Sequence, residues 1–269
     1  MAIIKFQKKT VAVFLLLTTI IIACCFYVFH QYLRVDFSYH KTADQASFVL
    51  SFDDQYVKQW YAHRDLFKKY GVHATFFITK PDLLSTEEIE MLHILAADGH
   101  EIASHGYRHV NAVAYTEEHS LGAYIEHEVL PAIKTMHAQG FAPVTFAYPY
   151  GASSRKLDRE LLKYFLLVRG DSWKVEDKPV EKLDRIFYKF DGSRVINGLG
   201  IDMNSGVTLQ DIEQGFNRAT DKQEAINLYA HSIEIDSSHY GVTTEFLENI
   251  LELAQGKNLK SITFKELAL

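Results

Sequence analysis

The sequence predicts an α/β fold of the parallel kind, either a (β/α) barrel or a doubly wound sheet. Three observations predict it. Short apolar, β-branched runs alternate with amphipathic stretches from Phe48 to the C-terminus. No internal repeat, low-complexity tract or interdomain linker interrupts the alternation. Four of the apolar runs are followed at once by polar clusters, and in parallel α/β folds the C-terminal strand ends share one face that carries the active site.

Residues 1–35 read as an export and anchoring segment, and residues 36–269 as one domain. Val11 to Phe29 carries no charge and follows Lys5, Lys8 and Lys9. As a helix it spans about 28 Å, close to the hydrocarbon thickness of a bilayer, with the N-terminus predicted inside. The competing reading is a lipoprotein box at Ile21-Ile22-Ala23-Cys24, although the apolar run continues through Cys25 to Phe29. Both readings place the domain outside the cytoplasm, either on a single-pass anchor or on a lipidated Cys24.

Phe48 to Phe52 reads as a buried strand, Tyr56 to Tyr70 as a helix stopped by Gly71, and Ala74 to Ile78 as the next strand. Ser85 with Glu88 forms a capping box for a helix reaching about Asp98, and His100 to Ser104 is a strand. A long helix is predicted from Thr116 to Gln139, kinked or split at Pro131. Val144 to Tyr148 and Phe165 to Arg169 read as strands around a helix from Ser154 to Tyr164. Val175 to Gly206 shows no clear period beyond a few short strands and loops. A helix over Leu209 to Ala219, a strand over Ile226 to Ala230, a helix over Thr243 to Ala254 and a strand over Ser261 to Phe264 complete the chain.

Composition narrows the function. With 18 Phe and 15 Tyr the core can be large, and a formal charge of -6 argues against nucleic acid, which needs a basic face. Both cysteines, Cys24 and Cys25, fall in the N-terminal segment, so a metal in the domain must be held by His and carboxylate.

The four polar clusters are Asp53-Asp54, His105 to His109, Pro149-Tyr150-Gly151 and His231-Ser232. His105 and His109 are spaced to put both imidazoles on one side of a turn, although such a pair among 13 His arises by chance as well. Adjacent aspartates at the end of a buried strand cannot both be ordinary surface carboxylates, because successive strand residues point to opposite sides. One can join the histidines at a metal while the other faces the reaction as a base.

These residues resemble the polysaccharide deacetylase family, carbohydrate esterase family four. Ser51-Phe52-Asp53-Asp54-Gln55 is similar to its first motif and His105 to His109 to its second. Phe146 to Gly151 looks like the third, Leu228-Tyr229-Ala230-His231 like the last, and Phe67 to Phe77 like the stretch between the first two. The resemblance runs from about Phe48 to the C-terminus, and the fold it implies is a single distorted (β/α) barrel of about seven strands. It implies that Asp54, His105 and His109 bind a divalent metal, most often zinc. It makes Asp53 the general base, the Tyr150 N–H an oxyanion donor and His231 the general acid. Trp173 and Tyr150 would wall the acetyl methyl, with Tyr148 in a supporting place. Asp171 is similar to the carboxylate that orients the acid histidine.

Three departures stand out. Gln55 replaces a usual Gly, Gly106 stands where Ser or Thr is common, and Ala147 takes the place of an Arg that orients the base. Arg169 is the candidate to supply that charge. The implied activity is removal of N-acetyl groups from a hexosamine polymer of the cell envelope. The alternatives are a glycan-binding module without activity, and a deacylase of a lipid-linked sugar or another small amide.

Overall fold

The computed structural model describes residues 46–176, 178–234 and 240–269. The expected N-terminal segment, with Val11 to Phe29 and Cys24, lies outside the described residues. Among the described residues no helix is long and apolar enough to cross a membrane.

Seven parallel strands close a barrel. Strands β1 (Ser47–Asp54), β2 (Thr75–Ile78), β3 (Glu101–Ser104), β4 (Thr145–Ala147), β5 (Leu167–Ser172), β7 (Val195–Gly200) and β8 (Ala225–Ala230) pair in that order. Pairing of β8 back onto β1 over Ser47 to Phe52 completes the ring. The barrel, rather than the doubly wound sheet, is therefore the fold. Short β6 (Phe187–Tyr188) runs antiparallel beside β8, and β11 (Lys260–Ser261) lies beside the start of β1. Strands β9 (Ser232–Glu234) and β10 (Gly241–Thr243) form a separate parallel pair.

The alternation of side chains along each strand divides the apolar groups into an outer and an inner core. Phe48, Leu50 and Phe52 of β1 face helices α1 (Val57–Ala62), α2 (Arg64–Tyr70) and α8 (Leu209–Lys222), meeting Trp60, Phe67 and Phe216. Val49, Phe77, Ala103, Ala147 and Leu167 fill the barrel interior, where Phe264 and Leu267 of the C-terminal helix α10 (Phe264–Ala268) join them. At that closed end Glu101 is buried and accepts bonds from the Thr75 and Thr145 hydroxyls and the Lys265 N–H. The opposite end of the interior is charged, with Asp53 and Arg169 inside it.

Several expected elements differ in extent. The helix from Tyr56 to Tyr70 is two helices broken at His63, whose ring nitrogens contact the Gln59 carbonyl (2.7 Å) and the Thr244 hydroxyl (2.9 Å). The Gln59 carbonyl would otherwise serve the helix ladder. The long helix is interrupted twice. It begins as α4 (Ala112–Glu118), restarts at the Ser120 cap as α5 (Leu121–Tyr124), widens into a π-turn at Ile125–Val129 and continues as α6 (Leu130–Ala138). Pro131, without an N–H, stands just past the π-turn. The last expected strand stops at Ser261, because Thr263 and Glu266 form a capping box that starts α10. The unassigned stretch Val175 to Gly206 supplies β6 and β7.

Candidate active site

All four polar clusters reach the open end of the barrel, since each follows a parallel strand. Asp53 continues the inward alternation of β1 and is 3% exposed. Asp54 in a regular strand would point the other way, but its φ of 82° turns the chain. Both carboxylates therefore reach His105, whose Nε2 is 3.9 Å from Asp53 Oδ2 and 3.7 Å from Asp54 Oδ1. The left-handed residue is Asp54 and not Gln55, so no glycine is needed at 55. The Gln55 amide donates to the Lys80 carbonyl at 2.8 Å and ties the turn to the loop after β2.

His105 donates from Nδ1 to the Ala147 carbonyl at 2.8 Å, which leaves the Nε2 lone pair directed at the aspartates. His109, at φ 61°, brings Nε2 to 3.2 Å from Asp54 Oδ1. One ligand atom from each of Asp54, His105 and His109 lies within 4.8 Å of the others. Two ligands of a tetrahedral zinc ion at about 2.1 Å stand about 3.4 Å apart. The spacings fit. The chemistry fits as well, because Asp54 Oδ1 is buried without a hydrogen-bond partner, a costly state that a cation relieves. Burial raises the Asp54 carboxyl, but the His109 and His105 imidazoles outweigh it and hold the group at about 2. Burial also takes His105 down to about 3. Both are thus in the deprotonated form that metal ligation requires.

Arg169, fully buried on β5, donates from Nη2 to Asp53 Oδ2 and from Nη1 to Asp171 Oδ1 (2.9 Å). Its guanidinium lies over the Tyr229 ring at 4.4 Å. Gly198 on β7 makes room, since a Cβ there would stand 3.0 Å from the Tyr229 ring and 3.2 Å from Arg169 Cδ. The positive charge absent at Ala147 thus enters from the neighbouring strand. Burial pushes the Asp53 carboxyl up and Arg169 opposes the shift.

His231 follows β8. Its partner is Asp202, just past β7, which accepts His231 Nδ1–H at 2.6 Å and the His231 N–H at 3.0 Å. Burial works against the imidazolium, but Asp202 prevails and lifts His231 to about 9. This corrects the sequence expectation, in which Asp171 orients the histidine: Asp171 is committed to Arg169 and leaves His231 to Asp202. The signal for Asp202 was its place directly after a strand, in the stretch whose period was unreadable. Trp60 on α1 donates to the His231 carbonyl at 2.7 Å and fixes that main chain.

Tyr150 is 65% exposed at φ 60°, its ring 4.7 Å from that of His109, so its loop lies beside the histidines. Trp173 is 54% exposed just past β5. Tyr148 is elsewhere. It is buried against Phe146 with its hydroxyl on Asp158 (2.9 Å), because it points outward from the barrel and into the helical layer. The expected supporting place at the site is therefore corrected to a core position. Tyr240, missed in the sequence, is 59% exposed with its ring 5.6 Å from that of His231.

The family model described as polysaccharide deacetylase matches residues 40–165. No curated protein matches the chain by sequence. Among solved structures, the chain is similar to the chitin deacetylase of the fungal pathogen Colletotrichum lindemuthianum, at 16% identity and a TM-score of 0.54, over 83% of this chain and 87% of that one. It is similar to a family 4 carbohydrate esterase from Streptomyces lividans in complex with acetate, at 16% and 0.51, over 80% and 91%. It is also similar to a CE4 esterase from Streptococcus mutans, at 15% and 0.50, over 82% and 87%. These likenesses concern the fold. Over residues 40–165, the stretch that holds the first three motifs, the chain is similar to the polysaccharide deacetylase family.

Proposed function

We propose that this chain is a metal-dependent hydrolase that removes N-acetyl groups from an N-acetylhexosamine polymer of the cell envelope. The observation that carries the reading is a buried base and a charged acid, each with its own partner, beside a cluster of three metal-ligand side chains. Asp54, His105 and His109 would hold a divalent cation, with zinc proposed. Such an ion, when bound, makes a coordinated water acidic enough to act as a nucleophile near neutral pH. Asp53 accepts the proton of the attacking water, and Arg169 keeps its carboxylate aligned. The Tyr150 main-chain N–H donates to the oxyanion that forms on the acetyl carbon. His231 gives its proton to the amide nitrogen as the C–N bond breaks, so that a neutral amine and acetate leave. Asp202 keeps that proton in place.

All three sequence departures have structural counterparts. Gln55 is bonded to Lys80, Arg169 stands in for an arginine at Ala147, and the loop at Gly106 is braced from another helix. This favours an enzyme over a binding module. The apolar run at Val11 to Phe29 supports a membrane anchor with the domain outside the cytoplasm, where envelope polymers lie.

The test is acetate release from peptidoglycan, poly-N-acetylglucosamine and chitin oligomers, against a panel of lipid-linked acetamido sugars. Asp53→Asn is expected to lower the rate about 100- to 10,000-fold, the range for a general base, with metal content unchanged. Full activity in that variant removes the base assignment. Release from the lipid-linked panel alone replaces the polymer as substrate.

A further inference from the structure

Glu128 is a carboxylate on an apolar face. It sits in the π-turn Ile125–Val129, beside buried Tyr124, Ile125 and Val129, and is 2% exposed. Its Oε2 accepts the main-chain N–H of Tyr107 at 3.1 Å and of Arg108 at 2.9 Å. Both donors belong to the segment joining His105 to His109. Gly106, at φ 84°, would place a Cβ 3.2 Å from the same oxygen, so a larger residue there strains the backbone and crowds this carboxylate. Successive N–H groups converging on one oxygen make a small anion nest, here filled by a side chain of the protein itself. The outer side of the loop is held too. The Arg108 guanidinium forks onto Asp82 at 2.7 and 3.1 Å and lies 3.9 Å from the Tyr107 ring centroid. His109 holds a left-handed backbone that a histidine keeps only when its surroundings enforce it.

We propose that Glu128 is a positioning residue for the metal centre. By binding the main chain between the two histidines it sets their separation, and with it the affinity for a divalent cation. The proposal rests on the assignment of Asp54, His105 and His109 as metal ligands. Glu128 makes no contact with substrate or ion in this role; it acts through the loop. Placing it in a π-turn, a local widening frequent at functional sites, brings a polar side chain into an otherwise apolar stripe of the helix.

The experiment measures zinc affinity of the full chain by competition with a chromophoric chelator, for wild type, Glu128→Gln and Glu128→Met. Glutamine keeps an acceptor oxygen, whereas methionine keeps the volume without one. Glu128→Met is expected to weaken zinc binding about 10- to 100-fold, the range for losing a group that orients a metal ligand. Glu128→Gln is expected to recover most of that loss. Activity lost by Glu128→Met at limiting zinc should return at saturating zinc, which a general loss of core order would not allow. A folded Glu128→Met chain with wild-type affinity overturns the proposal, and so does a Glu128→Gln chain as weak as Glu128→Met. Should Glu128→Met fail to fold, Gly106→Ala pushes the carboxylate off the loop and is expected to weaken zinc in the same direction; unchanged affinity there also overturns it. A wild-type chain that binds zinc without releasing acetate would remove the deacetylase reading, while the affinity ratios would still decide the role of Glu128.

Discussion

Asp202 and His231 show how one side chain sets another's chemistry. The imidazole is largely buried, which by itself disfavours its charge, and the carboxylate bonded to Nδ1 reverses the balance to about 9. A group with a raised pKa holds its proton through neutrality and loses it as pH climbs past that value. On the proposed mechanism the alkaline limb of the activity profile is expected to follow His231. In Asp202→Asn the charge is gone and burial prevails, so that limb should move to lower pH by at least about one unit, each unit being worth about 1.4 kcal/mol between the two protonation states. The check is kcat/KM against pH for both proteins at saturating zinc. A variant whose limb stays in place and whose rate merely scales down would remove Asp202 as the residue that keeps His231 charged. At this scale the sequence was legible where polar residues directly follow a strong strand, as at Asp53, Asp54, His105, His109 and His231, which the structure brings to one end of the barrel. The Arg169 charge beside Asp53 was legible too, but the partner of His231 was not. Nothing local distinguishes Asp171 from Asp202 as the partner of the histidine that follows β8; only the order of strands in the ring, with β7 beside β8, brings Asp202 to it.

Secondary elements carry the same lesson in a different form. Helix α8, expected over Leu209 to Ala219, runs on to Lys222, and its start is chemical. Thr208 caps it, with its hydroxyl accepting the Asp211 N–H at 3.2 Å while the Asp211 carboxylate accepts the Thr208 N–H at 2.8 Å. Lys174 joins this corner by donating to Asp211 at 2.6 Å and to the Gly206 carbonyl at 2.9 Å, which holds the segment bearing Trp173 beside the loop after β7. Thr208→Ala is expected to destabilise the domain by about 1 kcal/mol, as loss of an N-cap does, and to leave kcat unchanged. Urea unfolding followed by circular dichroism reads it as a lower midpoint at constant slope; an unchanged midpoint would mean that the cap adds nothing here. The breaks at His63 and Ile125–Val129 were not readable, since both arise from side chains that find partners far along the chain: Thr244 for His63, and the loop after β3 for Glu128. Periodicity reports which face of a helix is apolar. It carries no record of a carbonyl diverted to a side chain or a turn widened to deliver a carboxylate.

Across the whole molecule, the barrel turns separated segments into one face, and a cation would join them more tightly. Asp54 ends β1, whereas His105 follows β3, about 50 residues later, and β2 stands between the two strands. In the unfolded chain these ligands are not held together, so an ion that needs all three binds the folded state and stabilises it by mass action. At about 100 times its dissociation constant a ligand adds about 2.7 kcal/mol. For a domain of this size that corresponds to an increase in Tm on the order of 5–10 °C. Zinc should therefore raise the Tm of the chelator-treated chain, and Asp54→Asn should abolish the rise while still folding, because it removes the carboxylate that lies within reach of both histidines. Asp53→Asn, on the inner side of the same turn, should keep the rise, since Asp53 is bonded to Arg169. Differential scanning calorimetry with and without zinc separates the two. If both variants lose the zinc-dependent rise, the division of labour between the adjacent aspartates fails. If neither does, the cation binds elsewhere, and the convergence of β1 and β3 on one ion is not what the barrel achieves.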